Sequence, residues 1–137
     1  KTLSVRMKQH NENAIAVSNF LSNHPKIEKV FFPGTDKRHK EIAEKQMDGF
    51  GGMMSFVIDS DINGVKTFLK NLNLFTLAES LGGVESLIEH PAIMTHASID
   101  PSIREKLGIS ETLLRISVGI EDVDDLISDL DQALSKI

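Results

Sequence analysis

Apolar and polar positions alternate along the chain with two different periods, and these periods predict a succession of helices and strands. Helical spacing, with apolar residues every three or four positions, recurs in residues 2–22, 61–71 and 122–136. Short apolar runs of the length typical of strands occupy residues 27–32, 53–58, 74–78 and 113–120. Two further helices are predicted, a polar one within residues 36–49 and a short one from Asp100 to Gly108.

Strands and helices follow one another through short connections, with no internal repeat and no linker long enough to divide domains. This order predicts one α/β (α+β) domain, a two-layer sandwich with helices covering one face of a sheet. The pattern leaves open whether the sheet is antiparallel or mixed. The residues predicted to face inward from the long helices are Met7, His10, Ala14, Val17 and Leu21; Ile62, Val65, Phe68, Leu69 and Leu72; and Val123, Leu126, Ile127, Leu130, Leu134 and Ile137.

The strand at residues 113–120 carries an arginine that breaks its apolar pattern. With a period of two, one face presents Leu114, Ile116, Val118 and Ile120, and the other presents Leu113, Arg115, Ser117 and Gly119. Arg115 either points into water from an open sheet face or holds an anion where that face meets another domain. A guanidinium on a rigid strand suits the second role, because it binds a carboxylate in a fixed geometry.

The stretch "AESLGG", residues 78–83, follows the third strand and allows two interpretations. Gly82 and Gly83 permit a sharp turn or a close approach of the backbone to a ligand. In the first interpretation the stretch is a turn and nothing more. In the second, the Ser80 hydroxyl and nearby backbone N–H groups join Arg115 in a clamp for a carboxylate.

The composition excludes several classes of function. The 137 residues include no cysteine, which rules out disulfides, thiolate metal sites and a cysteine nucleophile. The net charge is −5 and the basic residues are scattered, which argues against nucleic-acid binding. No apolar run is long enough for a bilayer, so no membrane contact is expected, and the cytoplasm is the expected compartment. The sequence begins at Lys1 inside a predicted helix, so we expect it to be a piece of a longer protein.

Other polar residues are weaker candidates for chemistry. His90 and His96, with Glu89, have neither the spacing of a helical metal pair nor that of a zinc signature, so no metal site is expected. His96 as a general base is a minor alternative. Glu85 and Glu89 are not placed across a cleft by any pattern, as a glycosidase pair would be. Glu85, Glu89 and His90 are therefore interpreted as scaffold.

Two long motifs of the chain are "AESLGGVESLIEHPAIMTHASI" and "GISETLLRISVGIEDVDDLISDLDQAL", and shorter ones lie upstream in "KQMDGFGGMMSFVI", "VFFPG" and "KTLSVRMKQHNENA". Together these motifs resemble the Cys/Met-metabolism pyridoxal 5′-phosphate (PLP) enzymes, the family of cystathionine γ-synthase and γ-lyase. This resemblance implies fold type I and, for residues 1–137, the small C-terminal domain. Residues 1–23 would be the helix that leads in from a missing, larger PLP-binding domain.

The resemblance also implies roles for three residues. Arg115 matches the arginine that binds the substrate's α-carboxylate, Ser80 the serine beside that carboxylate, and Glu79 a position near the substrate's distal part. It places no catalytic or cofactor-binding residue in this chain, because the sequence lacks the Ser-x-Thr-Lys context of the Schiff-base lysine and the other cofactor contacts belong to the absent domain. The chain alone would then be inert.

The whole enzyme implied by this resemblance would use PLP and act at the γ carbon of a sulfur amino acid or an O-acylhomoserine. It would be a lyase or a transferase, and a homotetramer. The alternative is a stand-alone, non-catalytic domain that binds an amino acid or regulates through the same clamp.

Overall fold

One five-stranded sheet organises the residues that the computed structural model describes, 1–35 and 39–137. The helices are α1 (Leu3–Asn23), α2 (Lys40–Gln46), α3 (Ile62–Lys70), α4 (Pro101–Lys106) and α5 (Val123–Leu134). The strands are β1 (Ile27–Phe31), β2 (Met53–Ile58), β3 (Thr76–Leu77), β4 (Leu87–Glu89) and β5 (Leu113–Ser117). The sheet order is β1-β2-β5-β4-β3, antiparallel except for the β3–β4 pair. The predicted α/β sandwich is confirmed, and its sheet is mixed.

The core lies between one face of this sheet and three helices. Strand β2 alternates buried and half-buried residues, and its register with β5 places Phe56 opposite Leu114 and Met54 opposite Ile116. All four side chains belong to the main apolar cluster. The helices contribute Ala14, Val17 and Leu21 from α1, Val65 and Phe68 from α3, and Leu126, Leu130, Ala133 and Leu134 from α5. This layer packs against the central strands, including β5, which carries Arg115.

Several predicted boundaries differ from the structure. The predicted strand 74–78 shrinks to the two residues of β3, which pairs along one edge only. The predicted helix 36–49 is α2, Lys40–Gln46, and positions 36–38 of that prediction lie outside the described residues. Met7 was predicted to face the core, but 43% of it is exposed. Of the helices described, none combines the length and apolar character that crossing a bilayer requires.

Strand β5 ends three residues earlier than predicted, which moves Ile120 off the core face. The chain turns after Ser117, where the Val118 N–H donates to the carbonyl of Gly52 and the Ile120 N–H donates to that of Val84. Ile120 is 38% exposed as a result. The period-two pattern continues past the point where the chain is redirected, so the prediction for Ile120 was wrong.

Asp129 of α5 anchors the segment that leads into β3. Its carboxylate accepts the backbone N–H groups of Asn73 and Leu74, each at 2.8 Å, and that of Phe75 at 3.2 Å, although Asp129 is only 5% exposed. Burial raises the pKa of this carboxyl group, and the backbone hydrogen bonds outweigh that effect, so its pKa lies below the usual 3.8.

Replacing Asp129 with asparagine is expected to lower the free energy of unfolding by about 2 kcal/mol at pH 7, because charged hydrogen bonds are lost. Since the folded-state pKa is lowered, the carboxylate's contribution is complete above the unfolded-state pKa of 3.8 and declines as the pH falls through the folded-state pKa. The two urea-unfolding curves should therefore converge at low pH. The exposed Asp125 of the same helix provides the control Asp125→Asn. A difference in unfolding free energy between Asp129→Asn and the unmodified protein that stays the same at every pH would contradict this assignment.

Candidate functional site

The candidate site forms where the turn at residues 78–83 crosses the face of β4 and β5. Arg115 lies on β5, and the sheet register places Glu89 of β4 directly opposite it. On its other side, Arg115 is opposite Ser55 of β2. Directly paired residues on neighbouring strands have close side chains, so the register itself brings the acid to the arginine.

Arg115 and Glu89 form an ion pair between Nη2 of the guanidinium and Oε2 of the carboxylate. The Arg115 side chain is 28% exposed, whereas that of Glu89 is 1% exposed. Neither carboxylate oxygen of Glu89 accepts a hydrogen bond from the residues that the structure describes. A buried charge without a partner is costly, so the guanidinium is what compensates Glu89.

The guanidinium of Arg115 keeps part of its donor capacity free. Besides the ion pair, its Nη2 lies 3.3 Å from the carbonyl oxygen of Glu79. Both contacts that the described residues make with this group therefore involve the same nitrogen. Nη1 and Nε remain available, and because the side chain reaches solvent, a ligand anion can approach them.

The turn beside Arg115 is held by a hydrogen bond to the same strand. Gly82 has φ +76°, a left-handed conformation in which a side chain would be strained. Its N–H donates to the Ser117 hydroxyl at 2.8 Å. Ser117 lies two residues from Arg115 on β5, on the same face of the strand, so the turn and the arginine share one rigid support.

A polar network fixes the far end of the turn. The Ser86 hydroxyl donates to the Glu121 carboxylate at 2.9 Å and accepts the Gly119 N–H at 2.8 Å. Asn13 of α1 adds donations from Nδ2 to the carbonyls of Gly119, at 3.0 Å, and Glu121, at 2.8 Å. Helix α1 is thereby connected to the segment that follows β5.

The structure places the three predicted site residues in one neighbourhood but in different settings. Arg115 is partly buried and forms an ion pair with Glu89, and its role in holding a carboxylate stays a prediction. Glu79 approaches it through the backbone, and its side chain is exposed. Ser80 is exposed, and no hydrogen bond joins its hydroxyl to the described part of the chain. Its role beside a carboxylate stays a prediction.

Glu89 is the residue of this site that the sequence reasoning interpreted only as scaffold. The signal was present as a lone acid after two apolar residues, Leu87 and Ile88, but a three-residue strand is too short to show a period. Its pairing with Arg115 depends on the register of two strands that are distant in the sequence.

His90 and His96, which follow Glu89 in the chain, make contacts typical of residues with a structural role. His90 is fully buried, and its Nε2 lies 2.8 Å from the Glu111 carbonyl oxygen. Burial lowers the pKa of His90, and the interactions with Glu111 oppose this shift only in part. The His96 ring contacts the hydroxyl of Thr95 at 2.7 Å. Across residues 1–35 and 39–137, no group of three acidic or histidine side chains is arranged to hold a metal ion.

The described lysines do not provide a site for an aldehyde cofactor such as PLP. They are exposed to solvent, apart from Lys26, whose Nζ donates to the carbonyls of Leu134 and Ile137. A lysine that forms a Schiff base instead needs a desolvated amine beside the reacting group. The described residues therefore do not fit PLP by themselves, whereas the free donors of Arg115 fit the carboxylate of an amino acid.

Comparisons with known proteins identify the family of the chain. The sequence profile described as "Cys/Met metabolism PLP-dependent enzyme" matches residues 1–135. The chain is 56% identical over 137 residues to cystathionine gamma-lyase of Dictyostelium discoideum, covering 99% of this chain and 35% of the relative. It is 53% identical over 137 residues to cystathionine beta-lyase of Lactococcus lactis subsp. cremoris (strain MG1363), covering 99% and 36%. The chain thus spans about a third of the length of these relatives.

A solved structure shows the same fold. The chain superposes on cystathionine gamma synthase from Xanthomonas oryzae pv. oryzae, in complex with aminoacrylate and cysteine, with a TM-score of 0.93 and 47% identity. The match covers 98% of this chain and 35% of that one. Because the profile and the relatives extend over essentially the whole chain, the protein belongs to the Cys/Met-metabolism PLP-dependent enzyme family.

Proposed function

We propose that residues 1–137 form the C-terminal, substrate-carboxylate-binding domain of a PLP-dependent transsulfuration enzyme. Arg115 binds the α-carboxylate of the substrate, Ser80 adds a hydroxyl beside it, and Glu79 lies toward the distal part of the substrate. The whole enzyme acts at the γ carbon of a sulfur amino acid or an O-acylhomoserine, as a lyase or a transferase. It is a homotetramer, and it works in the cytoplasm.

One observation carries this proposal: the contacts of the Arg115 guanidinium fall on one nitrogen, while the side chain as a whole remains 28% exposed. Glu89 and the Glu79 carbonyl both engage Nη2 of Arg115, so Nη1 and Nε can donate to an incoming anion. The pinned turn at Gly82 gives the ligand a defined boundary. A rigid arginine with unused donors is what recognition of a carboxylate requires.

The relatives support the reaction class without choosing one reaction. Their names include cystathionine gamma-lyase, cystathionine beta-lyase and cystathionine gamma synthase. When bound, PLP supplies the electron sink for such reactions. In the proposal this cofactor is held by the larger part of the protein, and the residues described above bind and orient the substrate.

The test compares the full-length protein, loaded with PLP, with the isolated chain 1–137. The full-length protein should cleave L-cystathionine or form it from an O-acylhomoserine and L-cysteine, and the isolated chain should do neither. Each protein is also titrated calorimetrically with L-norleucine, an amino acid without a leaving group. Absence of both reactions in the full-length protein would contradict the proposal. Micromolar binding of norleucine by the isolated chain would instead favour a stand-alone amino-acid-binding domain.

A further inference from the structure

Glu89 is an unusual residue for the interior of a small domain. Its carboxylate is 1% exposed and accepts no hydrogen bond from the described residues, so the ion pair with Arg115 is the one compensation that they offer. A buried ion pair is seldom more stable than two apolar side chains of similar volume. Stability of the sheet therefore does not explain why an acid occupies this position.

The surroundings of Arg115 leave Glu89 as its charged partner. The residues paired with Arg115 across the sheet are Glu89 on β4 and Ser55 on β2. Of these two, only Glu89 carries charge. The Glu79 carbonyl adds one longer contact, at 3.3 Å. Without Glu89, the long side chain of Arg115 would be free to sample other rotamers.

We propose that Glu89 is a positioning residue for Arg115. It holds Nη2 so that Nη1 and Nε face the ligand before the ligand arrives, and it acts on substrates only through their carboxylate. The inference rests on the proposed function of Arg115 in carboxylate binding. Its physical basis is preorganisation, since a side chain already fixed loses little freedom when the ligand binds.

The experiment uses the full-length holoenzyme and a pair of competitive inhibitors that differ by one group. L-Norleucine carries the α-carboxylate, and pentylamine is the same molecule without it. Glu89→Gln keeps the size of the side chain and removes its charge. This variant should weaken inhibition by norleucine about tenfold, because ligand binding must then order Arg115. Inhibition by pentylamine should change less than about twofold, because no carboxylate reaches Arg115.

Two further variants separate positioning from general damage. Glu44→Gln removes an acid from an exposed ion pair with Lys40, in which the glutamate side chain is 54% exposed, and should leave both inhibition constants unchanged. Glu89→Asp retains the charge on a side chain that is one methylene shorter. Inhibition by norleucine should therefore weaken less than in Glu89→Gln, and inhibition by pentylamine should not change. This variant also provides the measurement if Glu89→Gln does not fold.

The possible outcomes are distinct. An inhibition constant for norleucine that is unchanged or lower in the Glu89 variants overturns the positioning role. Equal weakening of norleucine and pentylamine also overturns it, because that result indicates a structural defect. If Arg115→Gln leaves both inhibitors unaffected, the proposed function itself fails. If Arg115→Gln weakens norleucine selectively and Glu89→Gln does not, the proposed function stands and only the inference about Glu89 fails.

Discussion

Replacing Arg115 with glutamine in the full-length holoenzyme is expected to raise the KM for its amino-acid substrate about 100-fold. The estimate follows from losing charge-assisted hydrogen bonds of about 3 kcal/mol in total, at about 1.4 kcal/mol per tenfold change. The kcat should fall much less, because a carboxylate is bound equally in the ground state and the transition state. Steady-state kinetics with L-cystathionine measures both constants.

This substitution has a second effect, which a matched double variant isolates. Without Arg115, the carboxylate of Glu89 stays buried and unpaired, so Arg115→Gln should also lower the free energy of unfolding by about 3 kcal/mol. The double variant Arg115→Gln/Glu89→Gln removes the unpaired charge and should recover much of this stability, while its KM stays high. A KM that recovers together with stability would show that Arg115 does not bind the substrate.

Replacing Gly119 with alanine is expected to lower the free energy of unfolding by about 3 kcal/mol, at the upper end for an overpacked position. A Cβ at this position would overlap the Val84 carbonyl oxygen and lie 2.7 Å from the carbonyl carbon of Glu85. The Glu121 carboxylate also overlaps this Cβ but belongs to a side chain that can rotate away, whereas the Val84 and Glu85 atoms are backbone, so the segment must move away from β5. The shift would also break the hydrogen bond from the Gly119 N–H to the Ser86 hydroxyl.

A matched glycine separates steric overlap from backbone strain. A Cβ at Gly108 would meet nothing within 4 Å, but φ there is +77°. Gly108→Ala should therefore cost about 1 kcal/mol, from strain alone. Urea unfolding of the two variants measures the difference. Equal losses of unfolding free energy in the two variants would mean that Gly119 does not pack tightly against the turn in solution.

The sequence predicts the elements whose signal is local. The β2 run at residues 53–58 and the long helices α1, α3 and α5 appear within a few residues of the predicted limits, because their apolar periods repeat several times. Strand β4, Leu87–Glu89, gives no such signal, since three residues contain barely one period. Ile120 follows the local pattern, but tertiary contacts at Gly119 and Val84 redirect it.

The sequence predicts one residue of the site but not how that residue is paired. Arg115 stands out as a charge within an apolar strand, yet its pattern alone allowed two interpretations. The anion-binding interpretation was one of these two, and the family resemblance then implied that the anion is the α-carboxylate of a substrate. The pairing with Glu89 was not predictable, because the register of β4 against β5 depends on the fold of the chain between them.

The attachment of the turn at both ends has a consequence for the entropy of ligand binding. On the β4 side, the Thr76 and Ala78 N–H groups donate to the carbonyls of Ser86 and Ile88. On the β5 side, Gly82 is tied to Ser117. The segment from 78 to 86 is thus a closed loop. The conformational entropy cost of closing it is incurred when the protein folds, before any ligand binds. Under the proposed function, a substrate would meet a boundary that is already ordered, and its binding energy would not be consumed in arranging the turn.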